Sequence, residues 1–585
     1  MAIAATPVPL RIALMALLAS LAACGGSLSG APSAASLTTP SAPSTPGPQA
    51  PTLTLTPTAI KTFRFTWTDV AGETEYRLLE DPDGASGYTS LTPQPLPADS
   101  TAYDHTVFLA ERVNARYILQ ACDSAGCTDS AVVHASGPLV HAIGYVKASQ
   151  PADDAQFGHS MALSADGQTL AVGAPGNGAV NGNSGAVHVY TRDGITWRQQ
   201  ARLEAPSPQL GDYFGYGVAL STNGDTLAIG APRDSGIGSG SGAAFVFTRN
   251  GGIWGLPKIV RGLNTGVGDL FGSSVALSGD GDALAVGAEN ESGSATGING
   301  QDDDNRAQSG AAYVFVRNGN AWSQQAYVKA SNTQTFAFFG RRLALSSDGR
   351  TLAVGAPGDS SVVTSSGAVY VFVHDGTTWS EQARVKALNP GSFERYGEAI
   401  ALSANGDVLA VGNALESSFA TGINGDGIDY AAPASGAVYV YARNGAAWSQ
   451  QAYVKASNTQ ADDLFGTSVA LSEDGRTLAV GAIGEDSDAR GIAGDQGNDA
   501  ADNSGAAYVF QHSASGWRQQ AYVKPSNTVN QHVLRFGRAV TLSGDVSGDG
   551  KAMAVGSPFA NNASAGVGGN QNDTSGWNVG AVYLY

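Results

Sequence analysis

Phe271-Gly272 opens a stretch that runs through Ser274-Val275-Ala276-Leu277-Ser278, turns at Asp280-Gly281, and continues as Leu284-Ala285-Val286-Gly287-Ala288. After a loop the chain resumes with Ser309-Gly310-Ala311-Ala312-Tyr313-Val314-Phe315, then Trp322 and Gln325-Ala326-Tyr327-Val328-Lys329-Ala330. The runs are short, rich in Val, Ala and aromatic residues, and bounded by Gly, Ser and Asp, which is how β-strands separated by turns are written. Four such runs, A to D, form one unit, and the unit recurs at seven aromatic-glycine pairs: Phe157-Gly158, Phe214-Gly215, Phe271-Gly272, Phe339-Gly340, Tyr396-Gly397, Phe465-Gly466 and Phe536-Gly537. A sustained internal period determines the architecture before any single residue does.

In the first copy 28 residues separate the aromatic from the glycine before strand C, 12 separate that glycine from Trp197, and 17 lead to the next aromatic, a base period of 57. A four-stranded unit of this size cannot bury its own faces, so it must stack, either as a closed propeller or as an open solenoid. The ends discriminate. The last copy stops at Gly580-Ala581-Val582-Tyr583-Leu584-Tyr585, which is strand C, and lacks strand D. A spare D strand, Tyr145-Val146-Lys147-Ala148-Ser149, precedes the first copy and matches Tyr327-Val328-Lys329-Ala330-Ser331. Pairing these ends closes a ring, whereas a solenoid leaves both edges open. The expected fold is all-β: a seven-bladed β-propeller of four-stranded blades over 139–585, closed by an N-terminal strand and preceded by a small β-sandwich.

The aromatic-glycine pair followed by Gly-Ala-Pro, as in Phe157-Gly158 with Gly173-Ala174-Pro175 and Phe214-Gly215 with Gly230-Ala231-Pro232, resembles the FG-GAP repeat of integrin α-chain propellers and their bacterial relatives. The resemblance implies a seven-bladed fold, and for integrins extracellular ligand binding, often with calcium in the A–B turns. Copy seven has four extra residues in that turn, where Asp545-x-Ser547-x-Asp549-Gly550 resembles the family's calcium loop. Asp545, Ser547 and Asp549 are therefore the candidate calcium ligands. The set is incomplete: a hard cation takes about six to eight oxygens, and the position of the bidentate carboxylate is Met553. The other six turns, such as Asp166-Gly167 and Asp348-Gly349, are read as tight hairpins.

The 585 residues include 32 basic and 50 acidic side chains, a net charge of −18, which excludes a basic nucleic-acid binder. Residues 1–23 carry Arg11, the apolar run Ile12 to Ala19, and Leu21-Ala22-Ala23 before Cys24, the anatomy of a signal peptide. Leu21-Ala22-Ala23-Cys24 resembles the lipobox of bacterial lipoproteins. This implies a lipid on Cys24 and an address at the cell envelope, at the outer membrane and on its exposed surface. The apolar run is shorter than the ~20 residues of a membrane-spanning helix, so the lipid is the only expected membrane contact. Residues 24–52 are almost entirely Ser, Pro, Thr, Ala and Gly and read as a tether.

Between 53 and 138, alternating runs such as Phe63-Arg64-Phe65-Thr66-Trp67 are separated by turns such as Asp81-Pro82-Asp83-Gly84, a β-sandwich pattern. Tyr117 to Cys127 resembles the F strand and F–G turn of fibronectin type III domains, with Trp67 in place of their core tryptophan. Cys122 and Cys127 are the only cysteines besides Cys24, and on a secreted route they are expected to pair.

Antiparallel strands place the A–B and C–D turns on one face of the ring and the B–C and D–A connections on the other. From aromatic to strand-C glycine the seven copies count 28, 28, 39, 28, 40, 40 and 44 residues, so the B–C loops carry nearly all the length variation. One face is plain and the other decorated, as binding surfaces on rigid scaffolds are. The four long loops share Gly-Ile/Val-x-Gly with Asp or Asn seven residues after the first glycine: Gly297 with Asp304, Gly422 with Asp429, Gly491 with Asn498, Gly566 with Asp573. Asp302, Asp303, Asp304, Asp426, Asp429, Asp495, Asp499 and Asp573 are the candidate ligand-face acids. Two readings stand: glycine-permitted turns held by Asx hydrogen bonds, or an acidic rim for Ca²⁺ or a polar partner.

Lys147, Lys329, Lys386, Lys455 and Lys524 fall on the outer D strand, where lysine discourages edge-to-edge pairing. The recurring Trp197, Trp254, Trp322, Trp379, Trp448 and Trp517 are expected between outer strands. Eight histidines fall at unrelated phases, with no H-E-x-x-H pair and no G-x-S-x-G elbow. The functional expectation is a monomeric, non-catalytic surface lipoprotein that binds an extracellular protein or polysaccharide. The alternatives are a glycan-active enzyme, for instance with Asp302 and Asp429 facing each other across the channel, and an envelope assembly scaffold.

Overall fold

The computed structural model describes residues 47–137, 139–177, 182–301, 303–528, 534–544 and 551–585. The signal segment, Cys24, Asp302 and the candidate calcium ligands Asp545, Ser547 and Asp549 lie outside them. The described chain is all-β apart from two short 3-10 turns, Leu109–Glu111 and Leu139–Ala142.

Each repeat folds as predicted into an antiparallel A-B-C-D sheet; in the third the strands are Phe271–Leu277, Ala283–Ala288, Ala311–Asn318 and Ala321–Val328. Seven such sheets occur among the described residues. In the second, strand D is split into Ile253–Trp254 and Lys258–Val260 around Gly255-Leu256-Pro257, because proline cannot donate to the ladder. The first strands touch in series from Ser160–Leu163 round to Ala539–Leu542, which touches Ser160–Leu163 again. Closure uses the spare strand: Gly144, Tyr145 and Val146 pair with Leu584, Tyr583 and Val582.

Strand B reads Leu-Ala-Val-Gly-Ala in four sheets and differs by one or two residues in the other three; it is buried along its whole length in most sheets, because both its faces meet a neighbouring sheet. The apolar cores accordingly lie between blades. One joins Ala312, Val314 and Val328 of the third sheet to Phe339, Leu352, Val354 and Tyr370 of the fourth. The repeat aromatics key these layers; Phe271 meets Tyr313 and Phe315 edge-on at 5.3 and 6.0 Å.

The strand-B glycine and the glycine of the aromatic pair are both required by close approach of the blades. A Cβ on Gly230 would stand 1.9 Å from the Gly272 carbonyl oxygen, and Gly272 itself has φ +93°. On the plain face the A–B turns form a necklace. Ala165 N donates to Thr222 O at 2.9 Å, Thr222 N to Gly279 O at 2.8 Å, Gly279 N to Ser347 O at 2.8 Å, and Gly544 N back to Ala165 O at 2.9 Å. Each tight turn is braced by its own Asx side chain, as where Asp166 Oδ1 accepts from Gln168 N at 2.9 Å and from Ser164 Oγ at 2.5 Å.

Ahead of the ring, Leu53–Ala59, Thr62–Trp67 and Ala102–Thr106 form one sheet; Glu75–Asp81, Arg116–Asp123 and Gly126–Asp129 form the body of a second. Phe65 meets Tyr117 at 4.7 Å and Trp67 meets Tyr76 at 5.6 Å between them. Cys122 and Cys127 are joined by a disulfide. Gly47–Tyr585 is one compact unit, and a single apolar core runs from Phe65 and Tyr117 into Phe536 and Tyr583 of the closing blade. Lys551 pairs with Glu111 across this junction, and Gln511 donates to Glu111 at 2.8 Å. The sandwich is thus packed on the ring, not strung ahead of it as a separate spacer.

Candidate functional site

The conserved wording of the long B–C loops within this chain has a backbone explanation. Gly297, Gly422, Gly491 and Gly566 take φ between +70 and +78°, which turns the loop outward over strand D of its own blade. There Ile298 bridges to Val328, Ile423 to Val454, Ile492 to Val523, and Val567 to Val146 of the closing strand. Two hydrogen bonds flank each bridge; in the third blade Asn299 N donates to Tyr327 O at 2.7 Å and Lys329 N to Gly297 O at 2.8 Å. The loop therefore supplies a clip that covers the outer edge.

The lysines expected to protect that edge do something else. Lys147, Lys329, Lys455 and Lys524 are buried, and Lys386 nearly so. Lys329 meets Glu291 at 2.5 Å, Lys455 meets Glu416 at 2.7 Å, Lys524 meets Glu485 at 2.7 Å and Lys386 meets Asp359 at 2.8 Å. Each acid stands four residues after the strand-B glycine, at the root of a B–C loop. In the fifth blade Glu416 also accepts from the Tyr453 hydroxyl at 2.9 Å and from Ser418 N at 3.1 Å, while Lys455 donates to Ser435 Oγ and Ser418 O at 2.8 Å each. The physical reason for the misreading is the clip: it converts an exposed edge into an interior in which a lone ammonium is costly and a hydrogen-bonded pair is tolerated. Blade seven lacks the acid, having Ala560 there, and burial pulls Lys147 down to about 7 while its ammonium donates to the Gly580 carbonyl. The tryptophans lie between blades as expected; Trp379 Nε1 donates to Gln325 at 2.8 Å and Trp254 Nε1 to Gln200 at 2.9 Å.

The rim acids are engaged mainly with their own loops. Asp303 accepts from Ser294 N at 2.8 Å and Ser294 Oγ at 2.6 Å, Asp429 from Phe419 N at 2.9 Å and Ala431 N at 3.0 Å, and Asp573 from Ser575 N at 2.9 Å. These bonds hold the carboxyls of Asp303, Asp429 and Asp573 below the usual carboxylate range. In the third blade Asp303, not Asp304, takes the loop-closing place that the seven-residue spacing assigned to Asp304. Asp426 and Asp495 brace Ile428 N at 3.2 Å and Gly497 N at 2.9 Å, and Asp499 accepts from Gln460 Nε2 at 3.5 Å. Among the described residues no three His, Cys, Asp or Glu side chains come together to hold a metal. Asp429 belongs to a loop clipped to the outer strand and is not among the residues lining the channel mouth, so the geometry does not set it across the channel.

The centre of the same face is chemically different. The second residue after each aromatic-glycine pair, and the first in all but the fourth and fifth blades, rings the channel mouth, a cavity of ≈ 230 Å³ lined by His159, Tyr216, Arg342, Thr467 and Arg538 among others. It continues into a mid-channel space of ≈ 280 Å³. Ser160, Ser274 and Ser468 turn their hydroxyls onto the next blade's carbonyls at 2.7 to 2.8 Å. Arg341 is neutralised, by Glu289 at 2.6 Å and Glu398 at 3.0 Å. Arg342 and Arg538 form no ion pair among the described residues; Arg342 donates to the Arg341 carbonyl at 3.2 Å. Burial and the charge of Arg342 lower the Arg538 guanidinium, and burial with both arginine charges pulls His159 down to about 3. His159 packs its ring 4.9 Å from Tyr216, and its Nδ1 has no hydrogen-bond partner. At the opposite mouth Glu473 is raised by burial among Ser, Thr and Gly.

The family model of the FG-GAP repeat matches this chain at residues 145–190, 197–247, 264–315, 322–372 and 448–510. Strands A to C of the fifth and seventh blades lie outside the matched stretches and keep the same order. Among curated proteins nothing matches. Among solved structures, the chain is similar to the periplasmic gluconolactonase PpgL of Pseudomonas aeruginosa at 16% identity, covering 77% of this chain and 97% of that one, with a TM-score of 0.37. A likeness that remote carries no argument about chemistry.

Proposed function

We propose that this chain, a β-propeller carrying FG-GAP repeats, is a non-catalytic binding protein that presents its loop-rich face to an extracellular protein or polysaccharide. The observation that carries the reading is the rooting of the long loops. Three of the four are anchored at their base by a buried Lys–Glu pair, and all four are clipped to an outer strand, so length variation is displayed on a rigid frame. Lipid attachment at Cys24 at the outer membrane, with calcium in the seventh A–B turn, completes the proposal; both concern residues outside those described.

The test is to shorten the four long B–C loops to the 28-residue spacing of blades one, two and four, and to screen both proteins against glycan and protein arrays with and without Ca²⁺. The ring is expected to fold, because three blades already have the short form, and array binding is expected to be lost. Undiminished binding contradicts the face assignment. Turnover of a bound polysaccharide by the parent protein would replace it with the enzyme reading.

A further inference from the structure

We propose that the channel mouth is a binding site for a small polyhydroxylated carboxylate, a sugar acid, whose carboxylate is held between Arg342 and Arg538. This goes beyond the loop-face reading, since the site is built by the innermost strands and needs none of the four long loops.

Three observations converge on it. The first is unmatched positive charge. In a chain of net charge −18, Arg342 and Arg538 form no ion pair among the described residues; Glu398, already bonded to Arg341, acts on Arg538 only through its charge, and the charge of Arg342 adds to the cost of keeping Arg538 protonated. Placing like charges together in a recess destabilises the fold, and Glu398 offsets this only in part and for one of them, whereas a bound anion relieves both at once. Guanidinium groups also suit carboxylates, through two parallel charge-assisted hydrogen bonds.

The second is size and lining. The mouth and the space below it, ≈ 230 and ≈ 280 Å³, together reach the range of small-ligand sites, about 300 Å³ upward, and exceed what a bare inorganic oxyanion fills. Each A strand is the last of its sheet, paired only to B, so its other edge offers N–H and C=O groups along the channel to a ligand rich in hydroxyls. The third is the His159–Tyr216 ring pair, 4.9 Å apart, which forms part of the same wall and gives it an aromatic flank beside the two guanidiniums.

The test is calorimetric titration of the full protein with glucuronate, glucose and sulfate, repeated on Arg342→Gln, Arg538→Gln, Arg538→Lys and the loop-shortened protein, with circular dichroism as the check of folding. Saturable glucuronate binding is expected, with none for glucose and weaker binding for sulfate. Either glutamine variant should weaken glucuronate about tenfold or more, Arg538→Lys by less, and loop shortening not at all. The unliganded glutamine variants should be at least as heat-stable as the parent. No saturable glucuronate binding, equal binding of glucose, sulfate binding as tight as glucuronate, or undiminished binding by both folded glutamine variants would each overturn the proposal. Glucuronate binding retained by the loop-shortened protein while array binding persists would sink the loop-face reading and leave this one standing.

Discussion

Glu416→Ala isolates what the buried pairs contribute. In the parent, Lys455 and Glu416 meet at 2.7 Å with side chains 0% and 2% exposed, so solvent screens neither. Removing the carboxylate leaves a buried ammonium with only Ser435 Oγ and Ser418 O, deprives Ser418 N–H of its acceptor, and leaves the Tyr453 hydroxyl with Ser418 Oγ alone. Breaking one side of a buried pair costs about 3–5 kcal/mol, and a stranded buried donor about 1–3 kcal/mol, terms that overlap because the groups share one network. The expected loss is about 4–5 kcal/mol at neutral pH, read from urea unfolding followed by tryptophan fluorescence. The loss should shrink as pH rises towards the ordinary lysine value of about 10.4, since burial lowers Lys455 and the variant can then fold with that lysine uncharged. A double variant, Glu416→Leu with Lys455→Met, should recover most of it, because an apolar replacement of the whole pair is often neutral. A loss below about 1 kcal/mol for the single variant, or no recovery in the double, would refute the argument that these lysines are interior.

Blade seven carries a natural version of the broken pair. Lys147 falls from 10.5 to about 7, so below pH 7 both folded and unfolded states are charged and the full burial penalty applies; the penalty is relieved as pH rises from about 7 to about 10.5, by at most roughly 5 kcal/mol. Lys147→Met should stabilise the protein at pH 7 and flatten that rise in a series of thermal melts. Gly230→Ala drives a Cβ to 1.9 Å from a neighbouring backbone oxygen, whereas Gly194 has open space; the first should cost about 3 kcal/mol or more and the second about 1 kcal/mol by chemical denaturation. Reducing or mutating the Cys122–Cys127 bridge, whose partners are 5 residues apart, should cost about 2 kcal/mol in the sandwich's melting and leave array binding unchanged.

Much of the fold was legible because the repeat writes the same physical demand many times. The glycines at 173, 230 and 287 recur because each neighbouring blade comes within 2.2 Å of where a Cβ would be, and the unmatched D strand at 145–149 announced its partner at 581–584. The lysines were misread because their surroundings are created by a loop more than 25 residues away in sequence, as with Glu291 and Lys329. A signal did exist: wherever the residue four after the strand-B glycine is Asp or Glu, the following D strand carries Lys or Arg, as Asp234 with Arg261 at 2.5 Å also shows. The channel mouth was missed for the opposite reason. His159, Tyr216, Ser273, Arg341, Glu398, Thr467 and Arg538 occupy one repeat position but follow no common residue type, so alignment of the copies passes over them. Their variability within a constant frame is itself the clue, since five of these seven, and all seven residues that follow them, Arg342 included, line the channel mouth. The acids of the long loops drew attention by density, yet most serve their own turns.

Hydrogen exchange, measured by mass spectrometry on the protein with and without an array-selected ligand, tests the central claim of a binding face most directly. The account predicts added protection in the B–C loops at 291–309, 416–435, 485–504 and 560–579, with the A–B turns at 164–169, 221–226 and 346–351 unchanged. Protection concentrated in those A–B turns, or in the sandwich, with the B–C loops unaffected, would contradict it.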